Sequence, residues 1–218
     1  MSKSFAESTG TNSRGRGDPV SAEYRRLAAA YDKRWSRYVR ETTRPTLARL
    51  AMPASGALLD VGCGTGALLE QAARACPDAR LAGVDPVRSM LGEARAKLGG
   101  QALLCQARGE ALPLADGCFD TVVSSSVLHY VGDPAAALAE MHRVLRPGGQ
   151  LVLTDWCADH FPTRVVGWYL HALRRPLHRI YRRGELTHLL GDAGFHRVHV
   201  ERFRIDWLWG LMTATARK

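Results

Sequence analysis

The stretch that decides the fold is Ala57-Leu58-Leu59-Asp60-Val61-Gly62-Cys63-Gly64-Thr65-Gly66. A short apolar run with one acid is followed by three glycines at alternate positions, and helix-forming residues occupy 67–74. This order predicts a buried strand, a tight turn and the start of a helix. Glycine suits such a turn because it adopts positive φ angles and has no side chain that would block a ligand. The turn and the helix N-terminus should therefore face an open crevice.

A second acid indicates the ligand that binds in this crevice. Residues 80–84 read as the next strand, and Asp85 follows Gly66 by 19 residues. A carboxylate at that strand end can accept hydrogen bonds from both hydroxyl groups of a ribose. The two stretches together predict a nucleoside ligand, whereas a glycine turn that only connects a strand to a helix needs no such acid.

Residues 62–67 also fit the loose dinucleotide pattern G-x-G-x-x-G/A. Asp60 argues against a dinucleotide, because its carboxylate lies two residues before the first glycine and would repel a pyrophosphate. The same carboxylate suits a ligand with a cationic amino group and a sulfonium. Residues 59–66 resemble the first motif of the class I S-adenosylmethionine-dependent methyltransferases. The resemblance implies S-adenosylmethionine as the cofactor.

Later stretches extend this resemblance. Residues 108–114, 117–130 and 140–149 are similar to the group that includes the ubiquinone- and menaquinone-pathway methyltransferases. The pattern departs at Arg108, where many relatives carry an acid that bonds the adenine amino group. Arginine accepts no hydrogen bond. The adenine is therefore expected to contact the backbone of Gly109 or Glu110, or the Glu110 side chain.

Strands and helices alternate along the chain, which predicts an α/β fold. The predicted strands are 57–61, 80–84, 102–106, 118–124, 150–155 and two near 196–203 and 208–216, with helices at 66–76, 86–98, 134–146 and 185–195. This pattern describes a Rossmann-like, doubly wound, mostly parallel seven-stranded sheet with helices on both faces. The resemblance implies that the last strand lies antiparallel beside the fifth.

The predicted organisation is a tail followed by one methyltransferase domain. Residues 1–20 are rich in Ser, Gly, Thr and Arg without periodicity, which predicts a disordered tail before a single domain at 21–218. Residues 21–52 predict a helix that is broken near Pro45. Its aromatic face either packs on the sheet or, as the resemblance implies, covers the cofactor with Tyr31. An insertion at 156–183 is expected to shape the acceptor site.

Two groups of site residues follow. The predicted cofactor-binding residues are Tyr31, Asp60, Gly62, Cys63, Gly64, Gly66, Asp85, Pro86, Met90, Gly109, Glu110, Ser124 and Ser125. Met90 could instead pack in the core. His129 and Asp155 are the candidate catalytic residues. An imidazole near the crevice suits a general base, and the Asp155 carboxylate at the end of the fifth strand could orient an acceptor. The alternatives are a structural hydrogen bond for His129 and a capping role for Asp155.

Composition limits the remaining possibilities. Five scattered cysteines, never spaced C-x-x-C, predict reduced core residues and no metal site. With no apolar signal segment and no membrane span, a cytoplasmic protein is expected. Thirty Lys and Arg against 21 Asp and Glu give a net charge of +9. This charge favours an anionic partner, which could be a membrane lipid, a nucleic acid or an acidic substrate.

Residues 160–184 contain six arginines among aromatic and aliphatic residues and no Asp or Glu. This pattern is typical of a helix in a membrane interface, here broken into two pieces at Pro176. The segment would shape the acceptor site and could contact an anionic membrane peripherally. The alternative is a helical lid whose arginines are merely solvated.

The sequence favours a methyltransferase that acts on a small-molecule or lipid-like acceptor by in-line transfer, aided chiefly by positioning and desolvation. An RNA methyltransferase is the alternative that the charge suggests, although no RNA-binding module is recognisable. A non-catalytic nucleoside-binding protein is a further alternative, and Asp60 disfavours a nicotinamide oxidoreductase. The acceptor and the oligomeric state are not predicted.

Overall fold

A computed structural model describes residues 19–51, 53–173 and 177–218. The helices are α1 Pro19–Leu47, α2 Ala67–Ala75, α3 Arg88–Leu98, α4 Pro134–Val144, α5 Phe161–Ala172 and α6 Arg183–Asp192, with a short 3₁₀ turn at Leu128–Tyr130. The strands are β1 Ala57–Val61, β2 Arg80–Asp85, β3 Ala102–Gln106, β4 Phe119–Ser125, β5 Leu145–Trp156, β6 His196–Arg204 and β7 Gly210–Arg217.

The strands form one sheet in the order β3-β2-β1-β4-β5-β7-β6. The pairs are parallel from β3 to β5, and β7 runs antiparallel to both β5 and β6. The predicted fold class is confirmed. Because the strand order reverses beside β1, the carboxyl ends of β1, β2 and β4 border one crevice.

The core has a layer on each side of the sheet. Leu58 and Leu59 are both fully buried, yet they belong to different clusters because successive side chains of a strand point to opposite faces. Leu58 packs with Leu69 of α2 and Leu91 of α3, and Leu59 belongs to the layer that includes α4 and α6. This two-sided burial explains why β1 is almost wholly apolar.

One predicted boundary is wrong around the Pro-Gly-Gly sequence. Helix α4 ends at Val144 rather than 146, and β5 begins at Leu145 rather than 150. Leu145 pairs with Phe119 of β4. The Gly148 N–H donates to the Lys218 carbonyl at 2.9 Å, and the Gly149 carbonyl accepts from the Lys218 N–H at 3.1 Å. These partners are distant in sequence and hold the segment extended, so Pro147 continues a strand instead of ending a helix.

Helix α1 also differs from the prediction. It begins at Pro19, and residues 1–18 of the predicted tail lie outside the described residues, as does the predicted break at Pro176. The interruption of α1 is at Trp35, with φ −111° and ψ 17°, and the helix continues through Pro45 to Leu47. A proline two residues from the end removes only one hydrogen bond of a turn that is about to stop.

Side-chain hydrogen bonds hold α1 across the carboxyl ends of the strands. In its second half, Thr46 Oγ1 lies 2.7 Å from Thr154 Oγ1 of β5, which lies 2.9 Å from Thr213 Oγ1 of β7. In its first half, Asp32 accepts a hydrogen bond from Thr65 Oγ1 at 2.6 Å and forms an ion pair with Lys97 at 2.5 Å. Helix α1 therefore covers the crevice.

Candidate active site

The glycine turn after β1 has the predicted strained geometry. The N–H groups of Gly62 and Cys63 donate to the Val84 carbonyl at 2.8 and 3.0 Å. Gly62 has φ 78°, and a Cβ on it would lie 2.3 Å from Val127 Cγ2. Gly66 has φ 76° and leaves only 3.1 Å to Ala94 of α3. Glycine is therefore required both by the backbone angle and by close packing.

The two predicted acids lie in the same crevice and are buried. Asp85 accepts the N–H of Gly64 at 2.9 Å with one carboxylate oxygen and that of Val87 at 2.8 Å with the other. Burial raises the pKa of Asp85 to about 6. Burial, and then the neighbouring charge of Asp85, raises the pKa of Asp60 to about 8. A ligand cation beside these carboxyl groups would favour their charged forms.

Two adjoining cavities in this crevice share Tyr31, Gly62, Gly64, Ser125 and Ser126. The first extends to Asp60 and Cys63 under α1. The second extends to Asp85, Pro86 and Met90. The hydroxyl of Ser125 is buried and, among the described residues, has no hydrogen-bond partner. The acids, the glycine cradle and this hydroxyl fit a cationic nucleoside such as S-adenosylmethionine.

Four predicted cofactor residues do not line these two cavities. The cavity linings drawn from the described residues omit Gly66, Gly109, Glu110 and Ser124. The Ser124 hydroxyl donates to the Val61 carbonyl at 2.9 Å, and Gly109 packs against Val61 and Ala137. Met90 lines the second cavity and also packs against Ala28 and Val87.

Ser126 is a site residue that the sequence did not reveal. Its φ of 60° is unusual for a residue other than glycine. It lines both cofactor cavities and a third, larger cavity, and its hydroxyl lies 2.7 Å from the Tyr38 hydroxyl. Strained backbone of this kind is frequent at functional sites. A serine after Ser124-Ser125 gives no sequence signal for a left-handed conformation.

The third cavity has a volume of about 370 Å³ and opens next to the cofactor cavities. Its walls come from α1, the end of β5, α5 and the loop between β6 and β7. It is lined by Glu23, Tyr24, Leu27, Tyr31, Trp35, Tyr38, Ser126, His129, Tyr130, Trp156, Val166, Tyr169, Leu170 and Trp209. This size and largely apolar lining suit a small organic ligand.

The two candidate catalytic residues, His129 and Asp155, contact each other, and His129 lines this third cavity. His129 Nδ1 lies 2.5 Å from Asp155 Oδ1, and both residues are 1% exposed. The backbone N–H groups of His129 and Trp156 donate to the same carboxylate at 3.2 and 2.6 Å. Trp156 stacks on the imidazole at 4.5 Å between centroids. His129 Nε2 is buried and has no hydrogen-bond partner in the described part of the chain.

Comparison with known proteins agrees with this geometry. Residues 59–153 match the sequence model of a family described as a methyltransferase domain. Residues 59–153 form a methyltransferase domain. The match covers β1 to β5 and includes Asp60, the glycine turn, Asp85, His129 and most of the crevice. The predicted resemblance to the class I S-adenosylmethionine-dependent methyltransferases is confirmed, and S-adenosylmethionine is the cofactor of this class of domain.

The relatives include enzymes of several pathways. The chain is 36% identical over 132 residues to a ubiquinone/menaquinone biosynthesis C-methyltransferase of Desulfotalea psychrophila, covering 59% of this chain and 50% of the relative. It is 36% identical over 151 residues to a malonyl-[acyl-carrier protein] O-methyltransferase of Geobacter sulfurreducens, covering 66% and 57%. The chain thus spans about half the length of these curated relatives.

Solved structures show the same fold. A chain from the complex between the Haloferax volcanii Trm112 methyltransferase activator and a methyltransferase superposes with a TM-score of 0.79 at 21% identity. The superposition covers 89% of this chain and 97% of that chain. It therefore extends beyond residues 59–153 to the flanking elements. In the described ranges, no group of three His, Cys, Asp or Glu side chains is arranged to hold a metal ion.

Proposed function

We propose that this protein transfers the methyl group of S-adenosylmethionine to a small-molecule or lipid-like acceptor bound in the third cavity. The observation that carries the proposal is His129 Nε2, a buried nitrogen without a partner in the described residues, on the lining of an apolar cavity. That cavity shares Tyr31 and Ser126 with the cofactor crevice. Acceptor and cofactor would thus lie on either side of these two residues.

The chain's own residues would hold the cofactor through charge and hydrogen bonds. Asp60 would face the cationic amino group and sulfonium, and Asp85 would accept the ribose hydroxyls. Ser125 would direct its hydroxyl to the amino acid end. When bound, S-adenosylmethionine supplies an electrophilic methyl group on a sulfonium that leaves as a neutral thioether. The crevice residues need only align this methyl group with the acceptor and exclude water.

His129 would act as the general base. Because Asp155 is a carboxylate acceptor, it fixes the proton of the imidazole on Nδ1 and leaves the lone pair on Nε2. The acceptor's O–H, N–H or acidic C–H would give its proton to Nε2 as its electron pair forms the new bond to carbon. Asp155 would stabilise the resulting imidazolium. Burial raises the pKa of Tyr31 to about 12 and that of Tyr38 further, so these hydroxyls remain protonated and are poor bases.

The parts outside residues 59–153 would enclose the reaction. Helix α1, most of which falls in the proposed cover at 21–52, supplies Tyr24, Leu27 and Trp35 to the third cavity. Helix α5, within the proposed insertion at 156–183, supplies Val166, Tyr169 and Leu170. These contacts support one methyltransferase domain over 21–218 in which the insertion shapes the acceptor site.

Two measurements test the proposal in sequence. Calorimetric titration should show binding of S-adenosylmethionine and S-adenosylhomocysteine but not of NAD. Incubation with methyl-labelled cofactor and fractionated lipid, small-molecule and RNA extracts should then place label in a lipid or small molecule. Label that enters only RNA would favour the RNA methyltransferase, and binding without any transfer would favour a nucleoside-binding protein.

Once an acceptor is known, His129→Gln should lower kcat by about 10²- to 10⁴-fold, because it removes the base. Asp155→Asn should lower kcat as well and should alter the pH–rate profile, because the imidazole loses its orienting carboxylate. The affinity for S-adenosylmethionine should stay within a few-fold of wild type in both variants. Wild-type kcat in His129→Gln across the pH range would exclude His129 as the base.

A further inference from the structure

The outer face of α5 exposes apolar side chains. Phe161, Val165, Trp168 and Tyr169 follow helical spacing, and Leu173 continues the row just beyond the helix end. Trp168 is 71% exposed and Phe161 is 65% exposed. The opposite face is buried at Thr163 and Gly167. Large apolar side chains of this helix therefore face outward, and a contiguous exposed apolar patch of this kind is typical of an interaction surface.

A tryptophan from another element belongs to the same surface. Trp207, in the loop between β6 and β7, is 76% exposed. This loop is bonded to α5, since Thr163 Oγ1 donates to the Leu208 carbonyl at 3.1 Å and accepts from the Gly210 N–H at 2.7 Å. We use the name apolar rim for Phe161, Val165, Trp168, Tyr169, Leu173 and Trp207.

The apolar rim is continuous with the third cavity. Tyr169 belongs to both, because it is 56% exposed and also lines the cavity. Next to it, Val166 and Leu170 line the cavity from α5, and Trp209 lines it from the loop that carries Trp207. An apolar molecule can therefore pass from the rim to the site beside His129 along a surface of apolar side chains.

Positive charge flanks the rim. Arg164 lies on α5 with its guanidinium 5.3 Å from the ring centroid of Phe161 and is exposed. Arg202 and Arg204 of β6 are also exposed, and they line a surface cavity together with His160, the residue before Phe161. An apolar face bordered by arginines is the pattern of a surface that rests in the headgroup region of an anionic bilayer.

The acids closest to the rim in sequence are already engaged. Asp159 accepts the N–H of Arg183 at 3.0 Å, and Glu185 accepts a hydrogen bond from Arg179 at 2.7 Å. Asp206, beside Trp207, accepts the N–H groups of Leu208 and Trp209. Glu185 is thus paired with a cation, whereas Asp159 and Asp206 accept backbone N–H groups and keep their negative charge. The net charge beside the rim is still positive, because these two carboxylates are outnumbered by the exposed Arg164, Arg183, Arg202 and Arg204.

We propose that the apolar rim docks on an anionic lipid surface and that the acceptor enters the third cavity from it; the second clause rests on the proposed methyl transfer. A second copy of the chain is a weaker candidate, because a symmetric contact would bring the flanking arginines of both copies together. A bilayer offers phosphate groups at the level of the arginines and apolar chains below them. In the described ranges no helix is long and apolar enough to cross a membrane, so the contact is peripheral.

Vesicle co-sedimentation of the full chain tests the docking surface. The protein should bind vesicles that contain phosphatidylglycerol much more than vesicles of phosphatidylcholine alone. Binding should fall as salt rises from about 0.05 M to about 0.5 M, where the Debye length is about 4 Å. No binding to anionic vesicles at low salt would overturn the proposal.

Matched variants separate the rim from general surface effects. Trp168→Ser with Trp207→Ser should weaken vesicle partitioning by about tenfold or more, given the apolar area that each ring would bury. Leu103→Ser is the control, because Leu103 is 53% exposed on β3 at the other edge of the sheet. Arg164→Gln with Arg204→Gln should weaken partitioning by about fivefold per arginine, whereas Arg80→Gln, at the opposite end of the strands, should not.

Two further readouts decide between the alternatives. Equal partitioning of the rim variants and wild type would overturn the proposal. Sedimentation velocity that shows a wild-type dimer and monomeric rim variants would assign the rim to a second copy instead. Vesicle binding needs no methyl transfer, so the two proposals are tested separately. Rim variants that lose vesicle binding but still bind S-adenosylmethionine would support the docking surface alone. Failure of the wild-type protein to bind S-adenosylmethionine would count against the proposed function alone.

Discussion

At the scale of single residues, the site is defined by two buried acids, and the described residues place no Lys or Arg in the lining of the cavities that these acids border. Asp60 is 2% exposed, and its pKa of about 8 means that the carboxyl group is mostly protonated at pH 7. Asp85, with a pKa of about 6, is mostly ionised there. A cationic ligand lowers the pKa of a neighbouring carboxyl group. Binding of S-adenosylmethionine should therefore be coupled to ionisation of Asp60.

We expect S-adenosylmethionine binding at pH 7 to release a proton. Calorimetry in phosphate and in Tris should give different observed enthalpies, corresponding to a release that approaches one proton. The affinity should weaken by up to about tenfold per pH unit below pH 8, as Asp60 must lose its proton first. Asp60→Asn should bind more weakly and release no proton near pH 7. Identical enthalpies in both buffers would contradict this coupling.

At the scale of elements, the turn between β1 and α2 requires glycine for two different reasons, a positive φ angle and close packing. Gly62 has positive φ and a neighbour 2.3 Å from its absent Cβ, whereas Gly64 has φ 52° and nothing within 4 Å. Gly64→Ala should therefore lower the free energy of unfolding by about 1–2 kcal/mol, the cost of a left-handed residue with a side chain. Gly62→Ala should cost more, because Val127 must also move.

Urea denaturation of the two variants measures this difference. Adding Val127→Ala to Gly62→Ala should recover part of the loss, because the smaller side chain withdraws both γ carbons. The same addition to Gly64→Ala should recover nothing. Equal destabilisation by the two glycine variants would show that close packing against Val127 does not matter.

These elements also show what the sequence can predict. Residues 57–66 and Asp85 carry their structure locally, in an apolar run, a glycine turn and an acid at a strand end. The start of β5 at Leu145 could not be predicted, since it depends on partners at Phe119 and Lys218. The kink of α1 at Trp35 likewise has no local proline or glycine signal.

The same limit applied to the candidate site: local positions could be predicted from the sequence, but contacts between distant residues could not. His129 and Asp155 were placed at the carboxyl ends of neighbouring strands, but their 2.5 Å contact required the packing of β4 on β5. Ser126 was missed because its backbone conformation is imposed by its surroundings. Trp209 was missed because only the antiparallel return of β7 brings its loop back to the crevice.

At the scale of the whole molecule, the acids of the site should affect global stability. A carboxyl group whose pKa is raised on folding binds protons more tightly in the folded state, so stability falls as pH rises from the unfolded pKa to the folded one. For Asp60 this window runs from 3.8 to about 8. The slope is at most about 1.4 kcal/mol per pH unit for one group.

We therefore expect Asp60→Asn to be more stable than wild type at pH 8 in the absence of ligand, with the difference shrinking towards pH 5. Melting temperatures of both proteins between pH 5 and pH 8 measure this. His142 and His160 have pKa values that are lowered chiefly by burial, so their contribution to stability rises with pH. This contribution is the same in both proteins and cancels when their melting temperatures are subtracted. S-adenosylmethionine should raise the wild-type melting temperature more at pH 8 than at pH 5. A constant difference across the range would refute the raised pKa.

The interruption of α1 at Trp35 has a consequence for turnover. Residues 36–47 are fastened to β5 and β7 by the threonines, while residues 19–34 are held to the glycine turn through Asp32. The first half alone carries Tyr24 and Tyr31, which border both the cofactor crevice and the third cavity. For the proposed methyl transfer, displacement of residues 19–34 would have to break the Asp32 contacts and the packing of Ala28 on Val87 and Met90. It would uncover both compartments together, so that methylated product and spent cofactor would depart in a single event.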